Sequence, residues 1–187
     1  RFYVANNTLP LTYSKTYDWM FSPHVAINKV FSRSFSVYGT YSKGYKAPTS
    51  SYFYIPSTGQ VNTGLKPEIG NQFEIGTKGD LLNNKLSYQV AFFNAIFSNK
   101  FTAINVLNAT NTGTLYTYVA NGGKQNDKGI EFLVKYTAYQ SAKGFIKSVR
   151  PFANFTYSNF KYVDYTFHTK SSAGVDSAIN YNGKAVA

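Results

Sequence analysis

The sequence predicts an all-β protein, and three observations support this fold class. Tyr and Phe supply 17 and 16 of the 187 residues, and side chains of this kind favour strands. Several segments alternate apolar and polar residues with a period of two, which places the two kinds on opposite faces of a sheet. Charged residues make up 14% of the chain, less than the roughly one quarter that is usual for soluble domains.

The apolar residues are distributed along the chain rather than gathered into one run. No stretch approaches the roughly 20 apolar residues that a transmembrane helix needs. A membrane protein remains possible, because the strands of a membrane barrel alternate and are only mildly hydrophobic. The chain has no Cys, which excludes disulfides and thiolate metal sites.

The formal net charge of +11 fits a nucleic-acid binder, a protein attracted to anionic lipid or ligand, or an uneven share of charge in one piece of a protein. The basic residues form no Lys/Arg cluster, which argues against nucleic acid, and we favour the uneven share. The chain begins at Arg1 without a signal peptide and ends at Ala187. We expect it to be an internal fragment of a longer protein.

Residues 1–17 are irregular, and the alternation then predicts six or seven strands. In chain order, the predicted strands cover residues 20–28, 35–46, 72–81, 86–97, 115–120, 129–139 and 149–162. The clearest of them places Leu86, Tyr88 and Val90 on one face and Ser87 and Gln89 on the other.

The predicted connections alternate in length along the chain. Residues 28–33, 81–85 and 140–148 form the shorter set, and residues 47–70, 108–114 and 166–180 form the longer set. An up-and-down barrel in an outer membrane has short turns at one end and long loops at the other. Residues 108–114 fit this pattern only if their flanking strands rise well above the bilayer.

Three short motifs follow one another across the second and third predicted strands. Residues 41–48 read Tyr-Ser-Lys-Gly-Tyr-Lys-Ala-Pro, residues 65–68 read Leu-Lys-Pro-Glu, and residues 74–79 read Glu-Ile-Gly-Thr-Lys-Gly. Farther on, Asn121 and Gly123 precede Gly-Ile-Glu at residues 129–131. In this order and spacing the motifs resemble TonB-dependent receptors, the plugged barrels of the Gram-negative outer membrane. The structural residues that carry the resemblance are Tyr41, Lys43, Gly44, Tyr45, Pro48, Leu65, Lys66, Pro67, Glu68, Glu74, Gly76, Lys78, Gly79, Gly129 and Glu131.

This resemblance implies an antiparallel up-and-down transmembrane β-barrel in the outer membrane. Residues 1–187 would supply six or seven of about 22 strands, and the plug domain would lie outside this chain. The implied function is TonB-energised uptake of a scarce nutrient, most commonly a ferric siderophore. The implied partners are outer-membrane lipid, the receptor's own plug, the TonB complex through segments outside this chain, and a small chelate ligand.

Two other classes of protein remain open from the residues alone. One is an outer-membrane barrel that works without TonB, such as a porin or an adhesin-like barrel. The other is a secreted β-sandwich that binds carbohydrate or protein, since a sandwich shows the same alternation as a barrel. Tyr residues at strand ends, such as Tyr41, Tyr45, Tyr88 and Tyr162, favour the aromatic girdle of a membrane barrel.

No group of residues predicts catalysis, a metal site or a cofactor. His24 and His168 are far apart and have no acid at ligand spacing. His168 falls in a predicted external loop, where we expect it to be solvated; ligand contact is the alternative. Glu74 and Glu131 are expected to point into a barrel and to form hydrogen bonds or ion pairs across its wall.

The long connection after the second strand contains the candidates for ligand contact. Tyr52, Phe53 and Tyr54 interrupt this otherwise polar segment, and aromatic side chains suit flat iron chelates. Lys46 and Lys66 flank the segment and favour an anionic chelate. The alternative, which we favour, is that the three aromatic residues pack within the loop itself.

Overall fold

The computed structural model of the protein is built almost entirely of β-strands, and it describes residues 2–3, 12–171 and 173–186. In chain order, the elements are β1 (Phe2–Tyr3), β2 (Thr12–Tyr13), β3 (His24–Ser32), β4 (Phe35–Lys46), α1 (Ser50–Phe53), β5 (Tyr54–Ile55), β6 (Gln60–Val61), β7 (Glu68–Leu81), β8 (Leu86–Ser98), β9 (Phe101–Leu107), β10 (Thr114–Asn121), β11 (Lys124–Tyr136), β12 (Tyr139–Gln140), β13 (Ser148–Val149), β14 (Phe152–Asp164), β15 (Thr166–Lys170) and β16 (Asp176–Asn180).

Six long strands form one sheet in the order β14-β11-β8-β7-β4-β3. Every neighbouring pair is antiparallel, and the long strands pair in the order in which they follow along the chain. This arrangement confirms the predicted up-and-down antiparallel fold. Within the described residues the sheet is open, with β3 along one edge. At the other edge the chain returns beside β14, where the Gly183 amide donates to the Tyr162 carbonyl at 2.7 Å.

The register of the strands separates an apolar face from a polar face. Ile75 lies opposite Phe92, which in turn lies opposite Ile130, and Ile75 and Phe92 are 58% and 55% exposed. The apolar face comprises Val25, Ile27, Val37, Tyr41, Phe73, Ile75, Val90, Phe92, Ile130, Phe132, Val134, Phe155 and Tyr157. Large apolar side chains that are exposed as a continuous sheet surface are what the lipid-facing side of a membrane barrel requires.

The connections between the long strands alternate between the two ends of the sheet. Residues 33–34, 82–85 and 137–151 lie at one end, and residues 47–67 and 99–123 lie at the other, together with the segment after β14. The turn at residues 82–85 is tight because Leu82, Asn83 and Asn84 adopt positive φ, a conformation that Asn tolerates. The two sets of connections therefore lie at opposite ends of the sheet, as predicted, but the 137–151 connection is longer than the predicted 140–148 and contains the β12–β13 strand pair.

Two of the predicted connections are wrong. Residues 28–32 belong to β3, which starts at His24 because Pro23 has no amide proton to donate to a ladder; the turn is only Arg33 and Ser34. Residues 166–180 contain a hairpin, β15 with β16, rather than a polar loop. Backbone pairing orders that segment even though it has few apolar side chains.

The long connections form a second packed unit, which we call the external assembly: residues 47–67 together with β9, β10, β15 and β16. The four strands form one sheet in the order β10-β9-β15-β16. Strands β9 and β10 continue past the ends of β8 and β11. Their short connection at residues 108–113 therefore lies beyond the six-stranded sheet, which is the condition under which a short loop fits the predicted barrel. The buried hydrophobic residues of the external assembly are Phe53, Ile55, Leu65, Ile104 and Val106.

Among the residues that the structure describes, no helix is long and apolar enough to cross a membrane.

Candidate functional site

The 47–67 connection is fixed to the base of the β9–β10 hairpin by Asn121. The side chain of Asn121 accepts a hydrogen bond from the Lys66 amide at 2.7 Å and donates to the Lys66 carbonyl at 2.8 Å. It also donates to the Asn99 carbonyl at 2.8 Å, and the Asn99 side chain donates to the Pro67 carbonyl at 3.3 Å. We call Asn99 and Asn121 the loop clamp, because they join two connections far apart in sequence.

Glu68 and Lys46 extend this attachment toward the start of β9. Glu68 accepts a hydrogen bond from the Phe101 amide at 2.6 Å and lies 3.8 Å from the Lys46 ammonium. That ammonium also sits 5.6 Å from the centre of the Phe101 ring, and Tyr52 packs edge-on against the same ring at 5.3 Å. Two predicted ligand-contact residues, Lys46 and Tyr52, therefore meet at Phe101.

Phe53 and Leu65 form the interior of the 47–67 connection. Phe53 is 6% exposed and Leu65 is 2% exposed, and the ring of Phe53 lies 5.4 Å from that of Tyr13. Tyr17 closes the other side, where its hydroxyl donates to the Leu65 carbonyl at 3.1 Å. Burial raises the pKa of Tyr17, with a smaller contribution from Tyr13, so this hydroxyl remains a donor throughout the neutral range.

A groove crosses the four-stranded sheet of the external assembly. It consists of two adjoining cavities of about 420 and 360 Å³, which share Tyr118 and Lys170. We call it the external groove; its polar and aromatic lining includes Tyr116, Tyr118, Thr166, His168, Lys170 and Asp176. Each cavity is within the size range of small-molecule sites, roughly 300–1,000 Å³.

Three titratable groups of the external groove, His168, Lys170 and Asp176, come from the β15–β16 hairpin, and a fourth, Asp164, is the last residue of β14. The His168 ring nitrogen Nδ1 lies 2.9 Å from the Asp176 carboxylate. The Lys170 ammonium lies 6.0 Å from the centre of the Tyr118 ring and has no hydrogen bond or ion pair with any described residue. The groove therefore combines a cation that has no ion pair with aromatic rings and with the carboxylates of Asp164 and Asp176. The cation and the rings suit a flat anionic group of a ligand.

The six-stranded sheet β14-β11-β8-β7-β4-β3, which we call the spanning sheet, contains motif residues with structural roles. Glu74 accepts a hydrogen bond from the Tyr38 hydroxyl at 2.7 Å on the polar face, as expected for an inward carboxylate. A Cβ atom at Gly76 would lie 2.5 Å from the Tyr38 ring. One at Gly129 would lie 2.3 Å from the Tyr157 carbonyl oxygen and 2.6 Å from the Phe93 ring. A side chain at either position would have to displace these neighbours, which accounts for glycine at both motif positions.

The other predicted residues are distributed around these features. Tyr41, Lys43, Tyr45 and Gly79 lie on the apolar-face side of their strands, whereas Gly44, Lys78 and Glu131 lie on the polar-face side. Pro48 is buried next to the end of β4, and the Lys66 side chain is exposed. The structure thus brings Lys46 and Tyr52 together, and it leaves Phe53 inside the loop. The ligand-contact role of Tyr52, Phe53, Tyr54, Lys46 and Lys66 remains a prediction.

Reasoning from the sequence missed the external groove. Tyr116 and Tyr118 alternate within the predicted strand at residues 115–120, which was the available signal for a shared face. Lys170 lies in a segment whose polar sequence predicts a loop, so the sequence does not place it beside Tyr118. His168, for which solvation was the expected role, lines the groove. Within the described residues, no group of three His, Asp or Glu side chains could hold a metal ion.

The sheet, its lipid-type face and the motif positions together define an outer-membrane barrel wall. The chain matches the family described as TonB dependent receptor-like, beta-barrel, over residues 2–187, and it belongs to that family. It is therefore part of a receptor barrel of the Gram-negative outer membrane. The predicted family and location are confirmed.

One named receptor is similar in sequence to part of this chain. The chain is 30% identical over 111 residues to the ferripyoverdine receptor of Pseudomonas aeruginosa. This match covers 59% of the chain and 13% of the length of that receptor, so the chain corresponds to a small part of its relative. No solved structure gives a significant match.

Proposed function

We propose that this chain is part of the wall of a receptor that takes up an anionic ferric chelate through the outer membrane, energised by TonB. The single observation that carries the proposal is the external groove. It lies on the side of the long connections, which in outer-membrane barrels face the cell exterior. The family supports uptake rather than catalysis as the role of the whole receptor.

The chemistry of the external groove supports an iron chelate as the ligand. Ferric siderophores present flat, conjugated or carbonyl-rich surfaces, and aromatic side chains contact such surfaces at a small cost in conformational entropy. The unpaired Lys170 ammonium beside Tyr118 favours a ligand of negative charge. The likeness to a ferripyoverdine receptor supports the same class of ligand, and ferripyoverdine is the first compound to test.

The remaining partners follow from the proposed transport. The polar face of the six-stranded sheet would enclose a plug domain, and TonB would engage the receptor through segments outside this chain. Side chains that can meet such a plug include Gln72, Lys78, Gln89, Glu131 and Lys135. Outer-membrane lipid would cover the apolar face.

The test uses the full receptor in detergent and a double variant, Tyr118→Leu with Lys170→Gln. We expect ferripyoverdine to quench the receptor's fluorescence and the variant to bind it at least about tenfold more weakly, which corresponds to about 1.4 kcal/mol. Lys143→Gln serves as the charge-matched control, because Lys143 lies in the connection at the opposite end of the sheet. Tyr118→Phe keeps the ring and should retain most of the affinity.

Uptake of radioactive iron by cells that carry only this receptor gives the second readout. If the wild-type receptor binds neither ferripyoverdine nor a ferric hydroxamate nor a ferric catecholate, the proposal of a ferric chelate as the ligand is refuted. If the double variant and the wild type bind ferripyoverdine with equal affinity, the external groove is not the ligand-binding site. Replacing Tyr52 and Tyr54 by Ala tests the residues chosen from sequence: unchanged binding and uptake would exclude them.

A further inference from the structure

The charged residues of the spanning sheet are divided between its faces. Every carboxylate of β3, β4, β7, β8 and β11 lies on the polar face; these residues are Glu68, Glu74, Asp80, Asp127 and Glu131. The apolar face carries lysines and no carboxylate in these strands. Asp164, the last residue of β14, lines the external groove instead. A surface whose charged groups are all cations is complementary to an anionic partner.

Two of these lysines stand where the apolar face ends, on the side of the long connections. On this face of β11, Lys128 is the residue next to Ile130. On the same face of β14, Asn159 lies between Tyr157 and Lys161. Two residues of strand span about 6–7 Å, and a headgroup layer is about 5–8 Å thick. Lys128 therefore lies at the level of the lipid headgroups, whereas Ile130 and Tyr157 meet the acyl chains. Lys161 is farther out, about 13 Å along β14 from Tyr157, which a strand tilt of about 45° reduces to about 9 Å of height, so it lies at the outer boundary of the headgroup layer.

The register brings Lys128 and Lys161 close to each other. Lys128 pairs with Asn159, and Asn126 pairs with Lys161, so the two lysines are diagonal neighbours about 7–8 Å apart. Both are exposed, and neither forms an ion pair with any described residue. Their long flexible stems allow both ammonium groups to reach one phosphate held between them.

We propose that Lys128 and Lys161 form a binding site for a phosphate group of an outer-leaflet lipid. A lipid fits this site better than a free phosphate ion, because the apolar surface directly below the lysines would contact its acyl chains. Each basic residue near an anionic membrane surface strengthens binding about fivefold. The pair should therefore strengthen it about thirtyfold when both residues act on the same headgroup.

The test compares two double variants of the full receptor with equal loss of charge. Lys128→Gln with Lys161→Gln removes the proposed site. Lys78→Gln with Lys135→Gln removes two exposed lysines from the polar face. Each receptor is titrated with phosphatidylcholine vesicles that contain a diphosphorylated glycolipid, with vesicles that contain its dephosphorylated form, and with inorganic phosphate. The readouts are the apparent affinity and the amount of phospholipid or glycolipid that copurifies.

We expect the variant at Lys128 and Lys161 to bind the phosphorylated vesicles about thirtyfold more weakly, with the polar-face variant close to wild type. Replacing both lysines by Arg keeps the charge and should retain binding, which separates loss of the site from misfolding. Equal binding by the two Gln variants would overturn the proposal, and so would equal binding of the two forms of the glycolipid. Competition by inorganic phosphate at the same concentration as the lipid would show that free phosphate is the ligand and would refute the lipid. Chelate binding is measured separately and does not enter these readouts.

Discussion

The spanning sheet and the external assembly use apolar residues in opposite ways. In the spanning sheet the large apolar side chains are exposed on one face, and the buried hydrophobic residues are the small Ala91 and Ala95. In the external assembly Phe53, Ile55 and Leu65 are buried beneath loop backbone. One chain thus contains a part made for lipid and a part made for water, and the location of the large apolar residues distinguishes them.

The two parts also differ in how their backbones are joined. The spanning strands pair in sequence order over 9 to 14 residues each, so the ladder itself holds the sheet. The external assembly has short strands, and it relies on side chains such as Asn121 and Glu68 that bond to backbone of a distant segment. Substitutions in the two parts should therefore fail in different ways.

The largest effect is expected from emptying the interior of the external assembly. Leu65→Ala removes a side chain that is 2% exposed and should cost about 2–5 kcal/mol. Hydrogen exchange of the amides in residues 47–67 should accelerate while the amides of β7 and β8 remain protected, because the loss is local. Leu115→Ala is the control, since Leu115 is 60% exposed. Equal loss of protection in the spanning strands would contradict the separation of the two parts.

A smaller but still large effect is expected from a charge on the apolar face. Ile75→Arg should destabilise the folded receptor in lipid vesicles by about 2–4 kcal/mol, the cost of Arg near the bilayer midplane. Gln72→Arg places the same side chain on the polar face of the same strand and should cost much less. Urea titration of receptor refolded into vesicles measures both. If the two variants unfold at the same urea concentration, the faces are assigned wrongly.

The smallest effect is expected at the loop clamp. Asn121→Ala removes three hydrogen bonds to backbone and should weaken the attachment of the 47–67 connection by about 1–3 kcal/mol. The Lys66 amide should then exchange faster. Asn105→Ala is the control, because Asn105 accepts one exposed hydrogen bond from Thr117. An unchanged exchange rate at Lys66 would show that other contacts hold the connection in place.

The sequence predicts the spanning sheet well because its order depends on local alternation. The alternation predicts β4, β7, β8, β11 and β14 as strands, each within about five residues of its observed bounds. Prediction failed at β15 and β16, where few apolar side chains mark a face and the pairing of the two strands with each other supplies most of the order. It also failed to find α1, a single turn of four residues.

The candidate site was predicted only in part, for a related reason. Two motif glycines, Gly76 and Gly129, face aromatic rings across a strand, yet a sequence does not state which ring lies opposite. The contacts of Asn121 with Lys66 join residues 55 positions apart, and no periodicity carries that information. The external groove depends on two hairpins that meet in space, so Tyr118 and Lys170 could not be paired before the fold was known.

The meeting of these hairpins has a mechanical consequence. Strand β15 contacts β9 through two residue pairs, Thr169 with Asn105 and Lys170 with Val106, whereas β15 and β16 share five pairs. A sheet separates where the fewest backbone bonds cross it, and here that line runs along the external groove. At the outer end of this part of the receptor, the β9–β10 hairpin and the β15–β16 hairpin are therefore joined by a narrow seam. A molecule that contacts both hairpins would hold them together and slow their relative motion. Motions of loops fall on the nanosecond-to-microsecond scale.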